Sequence, residues 1–408
     1  MKKLSILIGS LFIFLFLSNN FVSACTGFTY SEENQVLVGS NEDWNDYDFW
    51  IRFFPAENDK YGRLIFENLW PISPDPDWHC PQNGMNDQGL FYDCFATPPL
   101  LPVNSSYKPY YYNSNDYYRY SLESYALSVC STVDEVLDVY DDYNLEHMER
   151  YQVLWVDTTG ASVIIEGDDI VFKEGDYQVV TNFIQTHPEL GGYPCWRYDT
   201  AVNMLDVMTE LSVEYFTSIC NATHQTGQYP SVYSNVYDLN DKILYLYYFY
   251  NYDNVVEINL EEELLLGEHV YFLVDLFNSS NNQPPGKPSM PNGPTFGKVG
   301  VECTYTSQTT DPDGDKILYL FDWDDGTDSG WIQPTLGQGQ ASHTWTKSGD
   351  YEVKVKARDI YHDESEWSDP LHVSMPKNKL FNFNFNLLCW LFERFPYAFP
   401  VLRYIFGV

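Results

Sequence analysis

One residue in this chain can supply a nucleophile and its base together. Cys25 follows Ser23-Ala24, and cleavage between Ala24 and Cys25 would leave a thiol and a free α-amine on the same residue. A backbone amine titrates near about 7.7–8.0 and a thiol near about 8.5, so close to neutral pH the amine can accept the thiol proton directly or through a water. Such a unit needs no histidine. The stretch Val22-Ser23-Ala24-Cys25 also has the form of a lipobox, in which the cysteine carries lipid and its amine can be acylated. Taken alone, these residues leave both readings open.

The segment ahead of Cys25 is laid out as a secretory signal. Lys2 and Lys3 precede an apolar run from Leu4 to Leu17, and Val22 and Ala24 form a small-residue exit. The run is short for a membrane-spanning helix. Its removal would place the protein outside the cytoplasm and leave enough chain for two domains. Formal net charge is −36, and losing the two leader lysines makes it two units more negative. Such a surface repels nucleic acid and anionic membrane. With 34 tyrosines and 11 tryptophans there is material for a large interior.

The eight cysteines, at 25, 80, 94, 130, 195, 220, 303 and 389, show neither CxxC pairs nor metal-ligand spacing, so the reading calls for no cofactor. In an oxidising compartment, disulfides are expected among Cys80, Cys94, Cys130, Cys195 and Cys220, with Cys389 left over.

The elements that must position Cys25 begin with a hairpin. Thr26-Gly27-Phe28-Thr29-Tyr30 is rich in strand formers, Glu32-Glu33-Asn34 is a turn, and Gln35 to Ser40 returns as a strand. Folding it back puts Asn41-Glu42-Asp43-Trp44 near Cys25, where a carboxylate could hold an ammonium group. A Pro- and Trp-rich crossing spans Trp70 to Pro81, and Gly84 to Tyr92 reads as a turn feeding a strand. The loop from Tyr107 to Tyr120 reads as surface covering in preference to a pocket wall.

A capped helix opens at Ser131-Thr132-Val133-Asp134-Glu135. Strands over Gln152–Val156 and Ser162–Glu166 follow, and Asn182 stands at the end of a β-branched run. Arg197 to Thr209 has helical spacing, with Ala201, Met204, Leu205 and Met208 on one face. Alternating strands from Tyr229 to Leu276, including 242–247 and 269–274, complete this region.

Five pieces in this order resemble the choloylglycine hydrolase and acyl-coenzyme A:6-aminopenicillanic acid acyltransferase-like enzymes. They are Cys25-Thr26-Gly27-Phe28, Gly39-Ser40-Asn41-Glu42-Asp43-Trp44, Gly84-Met85-Asn86-Asp87-Gln88-Gly89-Leu90, Val180-Thr181-Asn182 and Trp196-Arg197-Tyr198. The resemblance covers residues 25 to about 276 and implies an α+β class, with an αββα N-terminal-nucleophile (Ntn) domain hydrolysing linear amide C–N bonds. It makes Cys25 the nucleophile, its α-amine the base, Asp43 the group that fixes the amine, Asn182 an oxyanion donor and Arg197 the cation near the thiolate. It puts Asn41, Asn86 and the backbone of Ala96 on the substrate and oxyanion side. Relatives commonly have arginine where this chain has Ser40, so Arg197 or Arg52 must carry that charge or the thiol is less activated. A related dipeptidase branch also begins Cys-Thr, so a short peptide competes with a small N-acyl amide as substrate. The rival from another class is a cell-surface binding lipoprotein anchored at Cys25.

Residues 278–294 read as a linker. From 295 to 376 the alternating runs Ile317 to Phe321 and Tyr351 to Ala357, with turns such as Asp311-Pro312-Asp313-Gly314-Asp315, predict an all-β immunoglobulin-like sandwich. Its Asp-rich turns have the composition of a calcium loop and equally of solvated acidic turns. The module resembles PKD-like domains of exported proteins, which implies an adhesion or spacer role. The tail from Lys377 is aromatic and interrupted by Pro396 and Pro400, which suits an interfacial anchor at a membrane surface, a sorting signal or a patch for a partner.

Overall fold

The structure is a computed structural model that describes residues 25–45, 47–69, 79–99, 103–114, 118, 121–226, 229–277, 282–335, 337–376, 390 and 394. The expected leader, most of the 70–81 crossing, Cys389 and nearly all of the aromatic tail lie outside the described residues. Contacts divide the chain into two units, Met1–Asn281 and Asn282–Val408.

In the first unit β1 (Thr26–Glu32) and β2 (Gln35–Asp43) form the expected hairpin. Then come β3 (Phe49–Phe54), β4 (Arg63–Leu69), β5 (His79–Asn86), β6 (Phe91–Ala96), α1 (Leu122–Val129) and α2 (Val133–Asp142). The chain continues through β7 (Tyr151–Val156), β8 (Ser162–Glu166), β9 (Asp169–Phe172), β10 (Tyr177–Val180), α3 (Trp196–Asp206) and α4 (Val213–Thr223). It closes with β11 (Ser231–Asp238), β12 (Ile243–Tyr248), β13 (Val255–Asn259), α5 (Leu260–Leu264) and β14 (His269–Phe272). One antiparallel sheet has the order β10-β1-β2-β11-β12-β13, the other β14-β3-β4-β5-β6-β7-β8-β9.

Aromatic side chains join the two sheets. Tyr233 of β11 packs on Phe49 and Phe66, and Tyr237 packs on Phe91. Asn83 of β5 donates to the Tyr233 hydroxyl at 2.9 Å and accepts from Tyr237 at 2.8 Å, so these buried polar groups satisfy one another. The opposite face of the six-stranded sheet buries Phe28, Leu37 and Val236 against Ala201 and Leu205 of α3 and Phe216 and Ile219 of α4. The opposite face of the eight-stranded sheet buries Tyr92, Val153 and Trp155 against α1 and α2 through Leu122, Ala126, Val136 and Tyr140. The loop before α1 covers this layer, with Tyr111 stacked on Tyr125 and set edge-on to Tyr143.

Helix α2 starts where the sequence predicts. Thr132 caps the Glu135 N–H and Glu135 reaches back in a capping box. Helix α4 lies in the stretch before Tyr229 for which no element is expected, and α5 interrupts the expected run of strands. Gly89 fills a position only glycine suits: φ is +78°, and a Cβ would stand 2.3 Å from the Leu239 carbonyl.

The expected disulfides are not formed among the described cysteines. Cys130 caps the C-terminus of α1, whereas Cys220 lies in α4 on the far face of the other sheet, so both sheets separate them.

The second unit contains β15 (Cys303–Ser307), β16 (Ile317–Asp322), β17 (Gly339–His343), β18 (Gly349–Asp359) and β19 (Leu371–Met375). Their sheets are β15-β17 and β16-β18-β19, around a core of Trp323, Trp345, Tyr305, Tyr319 and Val355. The linker expected at 278–294 is shorter than that: Ser289 and Asn292 already bond the backbone at Gln308 and Thr306.

Candidate functional site

Strand alternation decides which side chains meet Cys25. Thr26 pairs with Asn41 across the hairpin, which places Cys25 opposite Glu42. Successive residues then face opposite ways. Ser40 and Glu42 turn toward the other sheet, while Asn41 and Asp43 turn toward α3 and α4. The Cys25 Sγ lies 3.3 Å from Glu42 Oε2. Asp43 accepts from Ser231 and, at 2.7 Å, from Gln225 Nε2, and faces Arg197 Nη1 at 3.6 Å.

Arg197, in the first turn of α3, is the hub. It donates to the Cys25 carbonyl, to Thr26 Oγ1 at 2.8 Å and to Asn182 Oδ1 at 2.8 Å. Asn182, just past β10, sends its amide to the Ala96 carbonyl at 2.8 Å. Thr97 N–H bonds the Arg150 carbonyl, so the preceding pair, Ala96 and Tyr151, is not hydrogen-bonded, and Ala96's N–H and C=O face away from β7. Thus Cys25, Asp43, Asn182, Arg197 and the Ala96 backbone come together.

Asn41 and Asn86 do not join them. Asn41 is buried against α4, bonding the Cys220 carbonyl and Thr223 and accepting from Ser234. Asn86 ties the β5–β6 turn to the end of α1 through the Leu127 and Cys130 carbonyls. Both are structural for the same reason: their polar atoms close backbone ends inside a core. Arg52 is engaged by Glu67 at 3.0 Å.

A cavity of about 510 Å³ opens at Cys25 and is lined by Trp44, Cys80, Cys94, Ala96, Glu123 and His147 among others. None of the described residues of the loop from 103 to 118 lines it. Burial works to raise the Glu123 carboxyl, but His147, Tyr151 and the helix N-terminus hold it below the usual range. Glu42, Asp93 and the cavity wall were not legible as site residues. Glu42 lay inside a quoted motif and its position opposite Cys25 follows from the hairpin; Asp93 is brought in from β6 with no local signal.

Electrostatics in the uncleaved chain oppose a thiolate. Burial, then Glu42 and Asp43, pushes the Cys25 thiol well above its ordinary range. Burial likewise lifts Asp43 to about 7 against the pull of Arg197, and Asp93 to about 7. A carboxyl raised in the fold holds its proton where the unfolded chain has lost it, so stability falls as pH rises through the window from about 4 to about 7. Urea midpoints of the first unit should therefore be lower at pH 8 than at pH 5. Asp43→Asn flattens that slope; an unchanged slope would mean these groups titrate normally.

In the second unit Asp311, Asp313 and Asp315 bring carboxylate oxygens within 4.8 Å of one another, the one such group of three among the described residues. Burial and then Asp311 raise Asp315 to about 6.

Comparison with known proteins reaches this second unit. The PKD domain family matches residues 289–368. A solved structure, the PKD domain of an M14-like peptidase from Thermoplasmatales archaeon SCGC AB-540-F20, is 47% identical, covering 24% of this chain and 99% of its own, with a TM-score of 0.22. The PKD domain of the human VPS10 domain-containing receptor SorCS2 is 18% identical, covering 25% of this chain and 85% of its own, with a TM-score of 0.20. No curated protein matches the chain.

Proposed function

We propose that a chain whose residues 289–368 are a PKD domain does its chemistry in its other unit, as an extracytoplasmic cysteine hydrolase of linear amide C–N bonds. The observation that carries this reading is the convergence of Cys25, Asp43, Asn182 and Arg197, drawn from four separate segments onto one buried network beside a cavity. Two sheets face to face with helices outside each fit the αββα Ntn arrangement that the sequence motifs resemble.

In this mechanism removal of the leader converts the Cys25 amide nitrogen into an amine, which takes the thiol proton. The thiolate attacks the acyl carbon, and its oxyanion meets the Asn182 amide and the Ala96 N–H. The C–N bond breaks as the amine departs with a proton. Water then cleaves the thioester, restoring the thiol and releasing the acid. An amine in place of that water would give acyl transfer.

The substrate is a small N-acyl amide or short peptide whose acyl part enters the cavity, and the PKD domain serves as spacer or adhesion module. The lipid-anchor reading fits less well, because Cys25 is 3% exposed and its sulfur is bonded inward to Glu42.

Intact mass and N-terminal sequencing of the exported protein, with and without iodoacetamide, test the reading, followed by a panel of N-acyl amides and dipeptides. A free amine on Cys25, one alkyl group taken up there and turnover lost with it are expected. A diacylglyceryl mass on Cys25, or a mature start elsewhere, would overturn it.

A further inference from the structure

We infer that Glu42, paired with the buried carboxyl of Asp93, is a second catalytic base for the Cys25 thiol, able to act without the α-amine. The inference rests on Cys25 being the nucleophile and adds a base that the sequence motifs did not assign.

The geometry is a short chain of contacts running inward from the sulfur. Cys25 Sγ meets Glu42 Oε2 at 3.3 Å, and Ser40 Oγ donates to Asp93 Oδ2 at 2.5 Å from the same face of β2. Glu42 is 2% exposed and Asp93 0%. Each has one carboxyl oxygen, Glu42 Oε1 and Asp93 Oδ1, that is buried and meets no N–H or hydroxyl donor among the described residues, and the two carboxyls are hydrogen-bonded to one another. None of the salt bridges among the described residues reaches either group. Around them stand Asp43 from β2, Tyr233 and Tyr237 from β11 and the amide of Asn83 from β5, all neutral or acidic; Arg197 is turned to Asp43 on the other face of β2.

Two ionised carboxylates in such a place would each pay full desolvation and repel one another, so the pair retains a proton. Ser40 holds Asp93 with a neutral donor and leaves the pair's charge intact. The thiol and the two carboxyls therefore share two protons and one negative charge. Moving the thiol proton to Glu42 Oε2 breaks the S–H bond and forms an O–H bond, the proton the pair already held passes from Glu42 to Asp93, and the negative charge shifts from Asp93 to sulfur. Nothing enters or leaves the group of three. Burial lifts Asp93 to about 7 and Glu42 well above its usual range, where a carboxylate has the proton affinity to serve as a base near neutrality.

The full chain isolates this base, because there the Cys25 nitrogen is tied up in the peptide bond to Ala24. Iodoacetamide is added between pH 5 and 9 and alkylation of the Cys25 peptide is followed by mass. Cys80, which lines the same cavity and whose thiol burial pushes up to about 12, is the internal reference.

Cys25 should alkylate at pH 7 at least tenfold faster than Cys80, with a rate that levels off once the pH passes about 7. Glu42→Gln should slow it by about tenfold or more and restore a tenfold rise per pH unit. If Glu42 were only a nearby negative charge, Glu42→Gln would speed alkylation, and that sign, or an unchanged rate, overturns the inference. Should Glu42→Gln fail to fold, the unmutated profile decides: a rate that still rises tenfold per pH unit from pH 7 to 9 overturns it.

The two readings fail separately. Glu42-dependent alkylation in a protein that cleaves no amide sinks the hydrolase and spares the base. Amide cleavage by Glu42→Gln with an unmoved pH profile does the reverse.

Discussion

Replacing Asn182 with alanine is expected to cut kcat by about 10²–10³ while leaving KM nearly unchanged. The side chain is oriented without ambiguity. Arg197 can only donate, so it must face Oδ1, and the Ala96 carbonyl can only accept, so it must face Nδ2. One N–H of the amide is thereby spent on positioning and the second is fixed in direction. A donor held in this way costs no reorganisation when negative charge develops on the acyl oxygen. Steady-state kinetics on whichever amide proves to be a substrate give the answer. A loss confined to KM would mean that Asn182 binds substrate and leaves the transition state to other donors.

Replacing Arg197 with methionine should do more, removing activity and destabilising the first unit by about 3–5 kcal/mol. Asp43 is 0% exposed and Arg197 is its salt-bridge cation, so above about pH 7, where Asp43 is ionised, the variant leaves a buried carboxylate without its counter-charge. Asn182, the Cys25 carbonyl and Thr26 Oγ1 lose their shared donor at the same time. Lysine in its place keeps the charge but offers one ammonium where a planar fork now reaches several acceptors, so it recovers stability better than turnover. The double variant Arg197→Met with Asp43→Asn separates the roles. Denaturation should return most of the way to that of the unmutated protein, and hydrolysis should not return. If the double variant is as unstable as the single one, packing around α3, and not the buried charge, is what Arg197 supplies.

The hairpin that carries Cys25 was readable because its pattern is local: alternating residues, a polar turn and a return strand fix the register and so the neighbour of each side chain. The same holds for α2, whose cap lies within four residues. Arg197 and Asn182 are found through motif resemblance and not through any spacing between them, since a separation of 15 residues, most of it irregular chain, carries no geometric information. Asn41 and Asn86 were misplaced by that route. Each sits in the right motif, but a strand turns alternate residues away from one another, and an asparagine buried near backbone ends is used to satisfy carbonyls. Asp93 could not have been found at all from local pattern. It is an ordinary alternating position of β6 until the two sheets close and Ser40 arrives opposite it.

The cysteines have a consequence for where the protein can persist. A cross-link stabilises chiefly by narrowing the unfolded ensemble, and no such constraint operates among the described cysteines. What holds the first unit is apolar burial between layers and the polar ties within them, neither of which depends on electron transfer. Burial also raises the thiols of Cys80, Cys94, Cys130 and Cys220, which keeps them chemically quiet. Among the described residues the first unit thus has no covalent tie for a reductant to break, and a thiol-dependent reaction can be run there in the presence of reductant without dismantling the scaffold that carries it.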